Sequence, residues 1–355
     1  SSNPSATPLT AWETALRSVT YSNTSDDLSN TSKTVTVSVV DDQSQSSIPA
    51  RSTITVTALN DAPVLTAASP ALTSINEDAL TNAGQTVASF MGTITDADGT
   101  SVPKGIAITG TSVGSGSGTW QYSLDGSTWN NISASSSSAL LLQSQNYVRF
   151  VPDGQNAASA SLSYRAWDQT TGSVGGTANI GVIGTGGTKA FSAQENTASI
   201  TVTAVNDAPG LSGDLLLGAF NIGRSVTQLL SDGSVSFQDV DSGSSMSGIA
   251  VVSNSANSVT QGTWQYSTDG STWHSIGAVS DGNTALALSS STQIRFAGVN
   301  GYNGTPPSLE IRVLDNTYSG SFSSGATRAL VDTTTCGGTT AIAGTSRVKI
   351  GRAHV

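Results

Sequence analysis

Along most of the chain, apolar and polar residues alternate in short stretches, as in strands with one buried face. Residues 34–40 read Thr-Val-Thr-Val-Ser-Val-Val, and 54–57 read Ile-Thr-Val-Thr. Residues 200–205 (Ile-Thr-Val-Thr-Ala-Val) and 311–314 (Ile-Arg-Val-Leu) behave likewise. β-Branched side chains at alternate positions suit a pleated, half-buried surface, so each stretch predicts a strand. Trp120-Gln-Tyr-Ser123 runs through Leu124-Asp-Gly126 into Ser127-Thr-Trp129. Asp-Gly supplies the positive φ of a tight turn, which predicts a hairpin with Trp120 and Tyr122 on one face as core residues. One short helix is expected, because Thr10-Ala-Trp-Glu13 has capping-box spacing ahead of Ala15 and Leu16. Strands do not alternate with long helices. The expected fold class is therefore all-β, built from antiparallel β-sandwiches rather than a parallel α/β sheet.

Internal repetition then divides the chain. Gly118-Thr-Trp-Gln-Tyr-Ser-Leu-Asp-Gly-Ser-Thr-Trp129 returns as Gly262-Thr-Trp-Gln-Tyr-Ser-Thr-Asp-Gly-Ser-Thr-Trp273, offset by 144. Thr57-Ala-Leu-Asn-Asp-Ala-Pro63 returns as Thr203-Ala-Val-Asn-Asp-Ala-Pro209, offset by 146. Arg149-Phe150 recurs as Arg295-Phe296, and the strand-ending Asp41 recurs as Asp168 and Asp315. A period of this size is a whole domain, not a solenoid repeat. The expected organisation is the end of one module at 1–63, a complete module at 64–209, and a module lacking its last strand at 210–349. Residues 350–355 read as a non-native, adapter-like tail and are set aside from fold expectations.

Composition narrows the function. Of 355 residues only 36% are hydrophobic and 11% charged. Ser, Thr, Gly and Asn make up the difference, as suits many short strands joined by polar turns. A net charge of −10 disfavours nucleic acid, whose phosphates it repels, and leaves carboxylates for cations. The single cysteine, Cys336, has no partner within the chain and reads as a small loop residue. No apolar run is long enough for a membrane span, so no membrane insertion is expected of this fragment.

The carboxylates are few but recur at fixed places. Thr95-Asp-Ala-Asp-Gly99 has its counterpart in Gln238-Asp-Val-Asp-Ser242. Asn60-Asp61 and Asn206-Asp207 each precede Ala-Pro at a module boundary, where proline holds the link extended. A D-x-D step aims two carboxylates at one ion, and calcium takes six to eight oxygens. The alternative is that these Asp and Asn residues only make turns through side-chain hydrogen bonds.

With Ala-Leu-Asn60-Asp-Ala-Pro63, Ile75-Asn-Glu-Asp78 and Ile94-Thr-Asp-Ala-Asp-Gly99 in view, the chain resembles the cadherin-like repeats of large bacterial surface adhesins and biofilm proteins. The likeness runs to about Val348. It implies tandem immunoglobulin/cadherin-like sandwiches with Ca2+ shared at their junctions. Asn60, Asp61, Asp96 and Asp98 would gather at the first junction, and Glu77, Asn206, Asp207, Asp239 and Asp241 at the second. The pattern departs from the family at Ala58 and Ala204, where a further linker Asp is usual. A Leu-Asp-Arg-Glu motif is absent, and Ile222 and Gly223 stand where Glu77 and Asp78 do one module earlier. Fewer ions per junction, or weaker binding of them, follow from these gaps.

The expected function is structural: a calcium-stiffened, adhesive stalk at the cell surface or outside the cell, not an enzyme. Its partners would be neighbouring modules of the chain and cell-surface or matrix ligands. Two other readings are a module that binds surface polysaccharide through exposed Trp and Tyr, and an inert spacer of a secreted hydrolase. Catalytic signals are weak. His274 is isolated, no Gly-x-Ser-x-Gly sits on a strand-to-helix turn, and Gly114, Gly116 and Gly118 lead into a strand instead of the helix that a phosphate loop needs.

Overall fold

A computed structural model describes residues 8–24, 32–41, 43–212, 216–217, 221–232, 235–344 and 348–352. The amino-terminal part holds helix α1 (Leu9–Arg17) and an antiparallel pair, β1 (Ser32–Val37) and β2 (Ala50–Thr55). The helix starts earlier than the capping box implies. Pro8 is its N-cap, no side chain caps it, and Thr10 lies inside the first turn. Proline already has the φ a helix entry needs and lacks the N–H that would require a partner, so Thr10 is not recruited as a cap.

The middle unit begins with four two-residue strands, β3 (Val64–Leu65), β4 (Ile75–Asn76), β5 (Gln85–Thr86) and β6 (Ile94–Thr95). Longer strands follow: β7 (Gly105–Ser115), β8 (Gly118–Ser123), β9 (Asn130–Asn131) and β10 (Ala139–Gln143). The unit closes with β11 (Tyr147–Pro152), β12 (Ala158–Trp167), β13 (Thr177–Ala178), the short helix α2 (Ile180–Ile183) and β14 (Phe191–Thr203).

The third unit opens with β15 (Gly210–Ser212), β16 (Leu216–Leu217), β17 (Arg224–Ser225), helix α3 (Val226–Asp232) and β18 (Ser236–Gln238). It continues with β19 (Met246–Asn254), β20 (Gly262–Ser267), β21 (His274–Ser275), β22 (Ala285–Ser289) and β23 (Gln293–Gly298). It ends with β24 (Leu309–Asp315), β25 (Leu330–Val331) and β26 (Val348–Arg352).

Strand pairing is the same in both units. The middle unit has a six-stranded sheet in the order β13-β10-β7-β12-β14-β4 and a four-stranded sheet β5-β11-β8-β9. The third has β25-β22-β19-β24-β26-β16 and β17-β23-β20-β21. Small pairs β3-β6 and β15-β18 complete them. All pairings are antiparallel except β4 on β14 and β16 on β26. The fold is an all-β sandwich.

One core lies between the sheets of each unit. In the middle unit Ile106, Ile108, Leu142 and Leu162 of the large sheet meet Trp120, Val148 and Phe150 of the small one. In the third, Ile249, Val251, Leu288 and Val313 meet Trp264, Tyr266 and Phe296. A second cluster covers the outer face of each large sheet, with Ala107, Leu141, Trp167, Ile180 and Phe191 in the middle unit. Both faces being buried, Ala139-Leu-Leu-Leu142 is apolar without alternation. The Trp120–Tyr122 pair is core, as expected. Trp120 is 3% exposed, the partly buried Tyr122 packs against the same core, and the Trp120 and Phe150 rings meet edge-on at 5.4 Å. Gly118 and Gly262 lead into the equivalent strands at φ 156° and 141°, where a Cβ would strike Phe150 and Phe296.

Three expectations change. Trp129 lies in the loop before β9, not in the hairpin strand, because Arg149 stacks over its ring at 4.1 Å; Arg295 does the same over Trp273 at 4.0 Å. Ile222 and Gly223 are not counterparts of Glu77 and Asp78. Gly223 precedes β17 against Trp273 as Gly84 precedes β5 against Trp129, so Leu216–Leu217 matches β4. The third unit is also not short of its last strand. Val348–Arg352, which takes in three residues of the adapter-like tail, pairs with β24 where β14 pairs with β12. An open strand edge is a row of unmet N–H and C=O groups, and Val-Lys-Ile is competent to satisfy them. Residues 353–355 of that tail lie outside the described residues.

Candidate metal centre

The acidic positions occupy the two junctions. Each D-x-D step follows the second strand of a small pair and folds into a tight turn. Asp98 N–H donates to Asp96 Oδ1 and Asp241 N–H to Asp239 Oδ1, both at 3.0 Å. The first carboxylate thereby fixes the turn and the second points outward, toward the incoming linker.

The linkers dock on these turns by one repeated pattern. Asp61 N–H donates to Asp98 Oδ2 at 2.8 Å, and Asp207 N–H to Asp241 Oδ2 at 2.7 Å. Asn60 Nδ2 donates to Asp168 Oδ2 at 2.9 Å, and Asn206 Nδ2 to Asp315 Oδ2 at 3.3 Å. Ala62 N–H reaches the Gly187 carbonyl and Ala208 N–H the Gly338 carbonyl, each at 2.7 Å. Pro63 and Pro209 are buried just beyond. Each Asn-Asp-Ala-Pro linker is thus held mainly by the sandwich that follows it.

The preceding sandwich supplies Glu77. It directly follows β4, its N–H donates to the Thr203 carbonyl, and its Oε1 accepts from Val205 N–H at 2.8 Å. Its side chain is fully buried. Carboxylate oxygens of Glu77, Asp207 and Asp241 all lie within 4.8 Å of one another. At that separation and an effective dielectric of about 20, two unit charges repel by about 3.5 kcal/mol. Burial raises the Glu77 pKa above its ordinary value, Asp241, Asp207 and Asp78 add to the rise, and the Val205 N–H opposes it. Asp207 is raised by burial, then by Asp241, Asp78 and Asp239. Asp241 is raised by burial, then by Asp239, Asp315 and Asp78, against the Asp207 N–H. At the first junction Asp96 is raised by burial, then by Asp98, Asp168 and Asp61.

Glu77 Oε2, Asp207 Oδ2 and Asp96 Oδ2 are buried with no hydrogen-bond partner. A buried carboxylate oxygen with neither donor nor cation is costly. The surrounding donors are carboxylate, amide and backbone oxygens, the set that suits a hard divalent cation and not a soft one. Glu77, Asp207 and Asp241 could therefore hold a hard divalent cation, without selecting one such ion over another. A cavity of about 480 Å³ lies beside Asn206 and Asp241.

Of the nine residues named from the sequence, the structure brings carboxylates of Glu77, Asp207 and Asp241 together at the second junction, with Asn206 and Asp239 beside them, and links Asp61, Asp96 and Asp98 by hydrogen bonds at the first, with Asn60 beside Asp61. Sequence reasoning missed Asp168 and Asp315. They are 2% and 0% exposed, and each is also held by a threonine, Thr170 or Thr317, through its N–H and hydroxyl. Their recurrence with Asp41 was the available signal, but among the described residues Asp41 makes a local turn with Gln43 and Gln45, which hides the second role.

The other candidates lie elsewhere. The His274 ring rests 5.7 Å from that of Tyr266. Cys336 is half-buried, with its Sγ near the Gly344 carbonyl. Compared with protein-family models and with curated proteins, the chain matches none.

Proposed function

We propose that this chain is a run of calcium-binding structural and adhesive modules from a large extracellular bacterial surface protein, in which calcium stiffens the junctions between consecutive sandwiches. The observation that carries the reading is the convergence of Glu77 from one sandwich with Asp207 and Asp241 of the next, two of their oxygens being buried without a donor. The cadherin-like motifs support the same placement outside the cell.

Bound calcium would supply the positive charge that offsets the clustered carboxylates. The chain's own residues do the rest. Glu77 ties the end of the middle sandwich to Val205 at the start of the linker. Asn206, Asp207 and Ala208 tie the linker to the third sandwich. Without a cation the carboxylates repel and the junction loosens, while the apolar cores, which contain none of these groups, remain folded. Partners are therefore the neighbouring modules first, with cell-surface or matrix ligands reached at the stalk's end. A polysaccharide platform is less well supported, because Trp120 and Trp264 are buried and Arg149 and Arg295 cover one face of Trp129 and Trp273.

Small-angle scattering of the protein with calcium and with chelator tests the proposal. The maximum dimension and the spread of conformations are expected to change on chelation while the circular dichroism of the sandwiches does not. Identical scattering curves in the two conditions would refute it.

A further inference from the structure

The second junction carries another contact that uses no carboxylate ligand. Asn156 stands in the loop between β11 and β12 of the middle unit and lines the cavity that Asn206 and Asp241 also line. Its Nδ2 donates to the Val240 carbonyl at 3.1 Å, and its Oδ1 accepts from Ser242 N–H at 2.8 Å. One side chain of the middle unit thus makes two bonds of opposite sense to the backbone of the third, at the residues on either side of Asp241. An amide does this where a carboxylate cannot, since it both donates and accepts.

The loop that presents Asn156 is itself braced. Asp153 Oδ1 accepts from Gln155 N–H at 3.1 Å and from Asn156 N–H at 3.4 Å. Gly154 turns at φ 74° and packs by Leu80, next to the Glu77 carbonyl. The loop therefore leans on the segment that carries Glu77 while its tip holds the turn that carries Asp241.

We infer that Asn156 is a metal-independent latch that pre-orients the Asp239–Ser242 turn against the middle sandwich. It is a positioning residue, acting on the cation site only through Asp241. The latch stands on the two hydrogen bonds alone; its effect on calcium affinity rests in addition on the metal reading above. Two roles follow. With calcium removed, the junction is tethered through Asn156 instead of swinging freely. With calcium present, the ligands on the two sandwiches are already close to register, so less ordering is lost on binding.

The test is amide hydrogen exchange at Ser242 in the full chain with chelator, comparing wild type with Asn156→Ala and with Gln155→Ala as a neighbouring control. Losing two neutral hydrogen bonds is expected to speed Ser242 exchange about tenfold in Asn156→Ala, with no change in the control. Protection of Leu162 and Tyr164 in β12 reports folding. If it falls in Asn156→Ala, the smaller change Asn156→Ser is read in its place. Unchanged Ser242 exchange in the folded variant overturns the latch. Calcium titration of the same proteins gives an independent outcome, with a several-fold weaker Kd expected for Asn156→Ala. If wild type binds no calcium but the exchange difference appears, the metal reading fails and the latch holds. If calcium binds equally to wild type and variant and Ser242 exchange does not differ, the latch fails and the metal reading holds.

Discussion

Replacing Glu77 by Gln keeps the shape of the side chain and removes one of three charges packed within 4.8 Å. The amide oxygen still accepts from Val205 N–H, and the new Nε2 donor sits where Oε2 has no partner. Each like-charge contact at this distance is worth about 3.5 kcal/mol at an effective dielectric of about 20. Solvent screening and side-chain relaxation reduce that figure, so the realised gain is set at about 1–3 kcal/mol. The metal-free junction of Glu77→Gln therefore closes more than that of wild type, by about 5- to 150-fold in the closed-to-open ratio. With calcium the order reverses, because the variant has lost a charged ligand. Amide exchange at Ser242 reads the junction, since its N–H is bonded across it to Asn156 Oδ1. Protection of this amide in chelator is expected to rise in the variant, and its calcium Kd, read by calorimetry, to weaken by tenfold or more. Lower protection in chelator together with unchanged calcium affinity would show that Glu77 makes only a structural hydrogen bond.

Further outcomes follow from the same geometry. Because folding raises the pKa values of Glu77, Asp96, Asp207 and Asp241, the folded state holds protons more tightly there, so metal-free stability should increase as pH falls from about 7 toward the raised values. Below about pH 4 the trend turns, because backbone N–H donors hold Asp125 and Asp269 well below the usual carboxylate range and their contribution is lost on protonation; urea titrations across pH would show both limbs. Calcium inverts the first limb, since protons compete with it for the carboxylates, and a Kd that does not weaken on acidification would count against the site. Trp264→Ala should cost about 3–5 kcal/mol in denaturant unfolding by the same amount with or without calcium, because Trp264 is fully buried in the core and not at the junction. Asp281→Ala should cost about 3–5 kcal/mol by stranding the buried Arg312 guanidinium that it pairs with at 2.9 Å, and the added change Arg312→Met should recover much of the loss.

The alternation at 34–40, 54–57 and 200–205, with the Asp-Gly turns, was enough to indicate an all-β chain, because side-chain period two and turn chemistry are local properties. The repeated Asn-Asp-Ala-Pro and D-x-D steps likewise marked the junction residues in advance, since their spacing is carried by the chain itself. Which partners those residues meet was a matter of tertiary structure. Glu77 and Asp207 are 130 positions apart and touch only because β4 runs parallel to the end of β14, which delivers Glu77 to the root of the linker. The burial that raises their pKa values, the roles of Asp168 and Asp315, and the reach of Asn156 across to Val240 and Ser242 all depend on how one sandwich sits on the next. The closing strand of the third unit was decided the same way. An unpaired edge on β24 takes up the nearest competent segment, and no local pattern in Val348–Arg352 states which edge it will join.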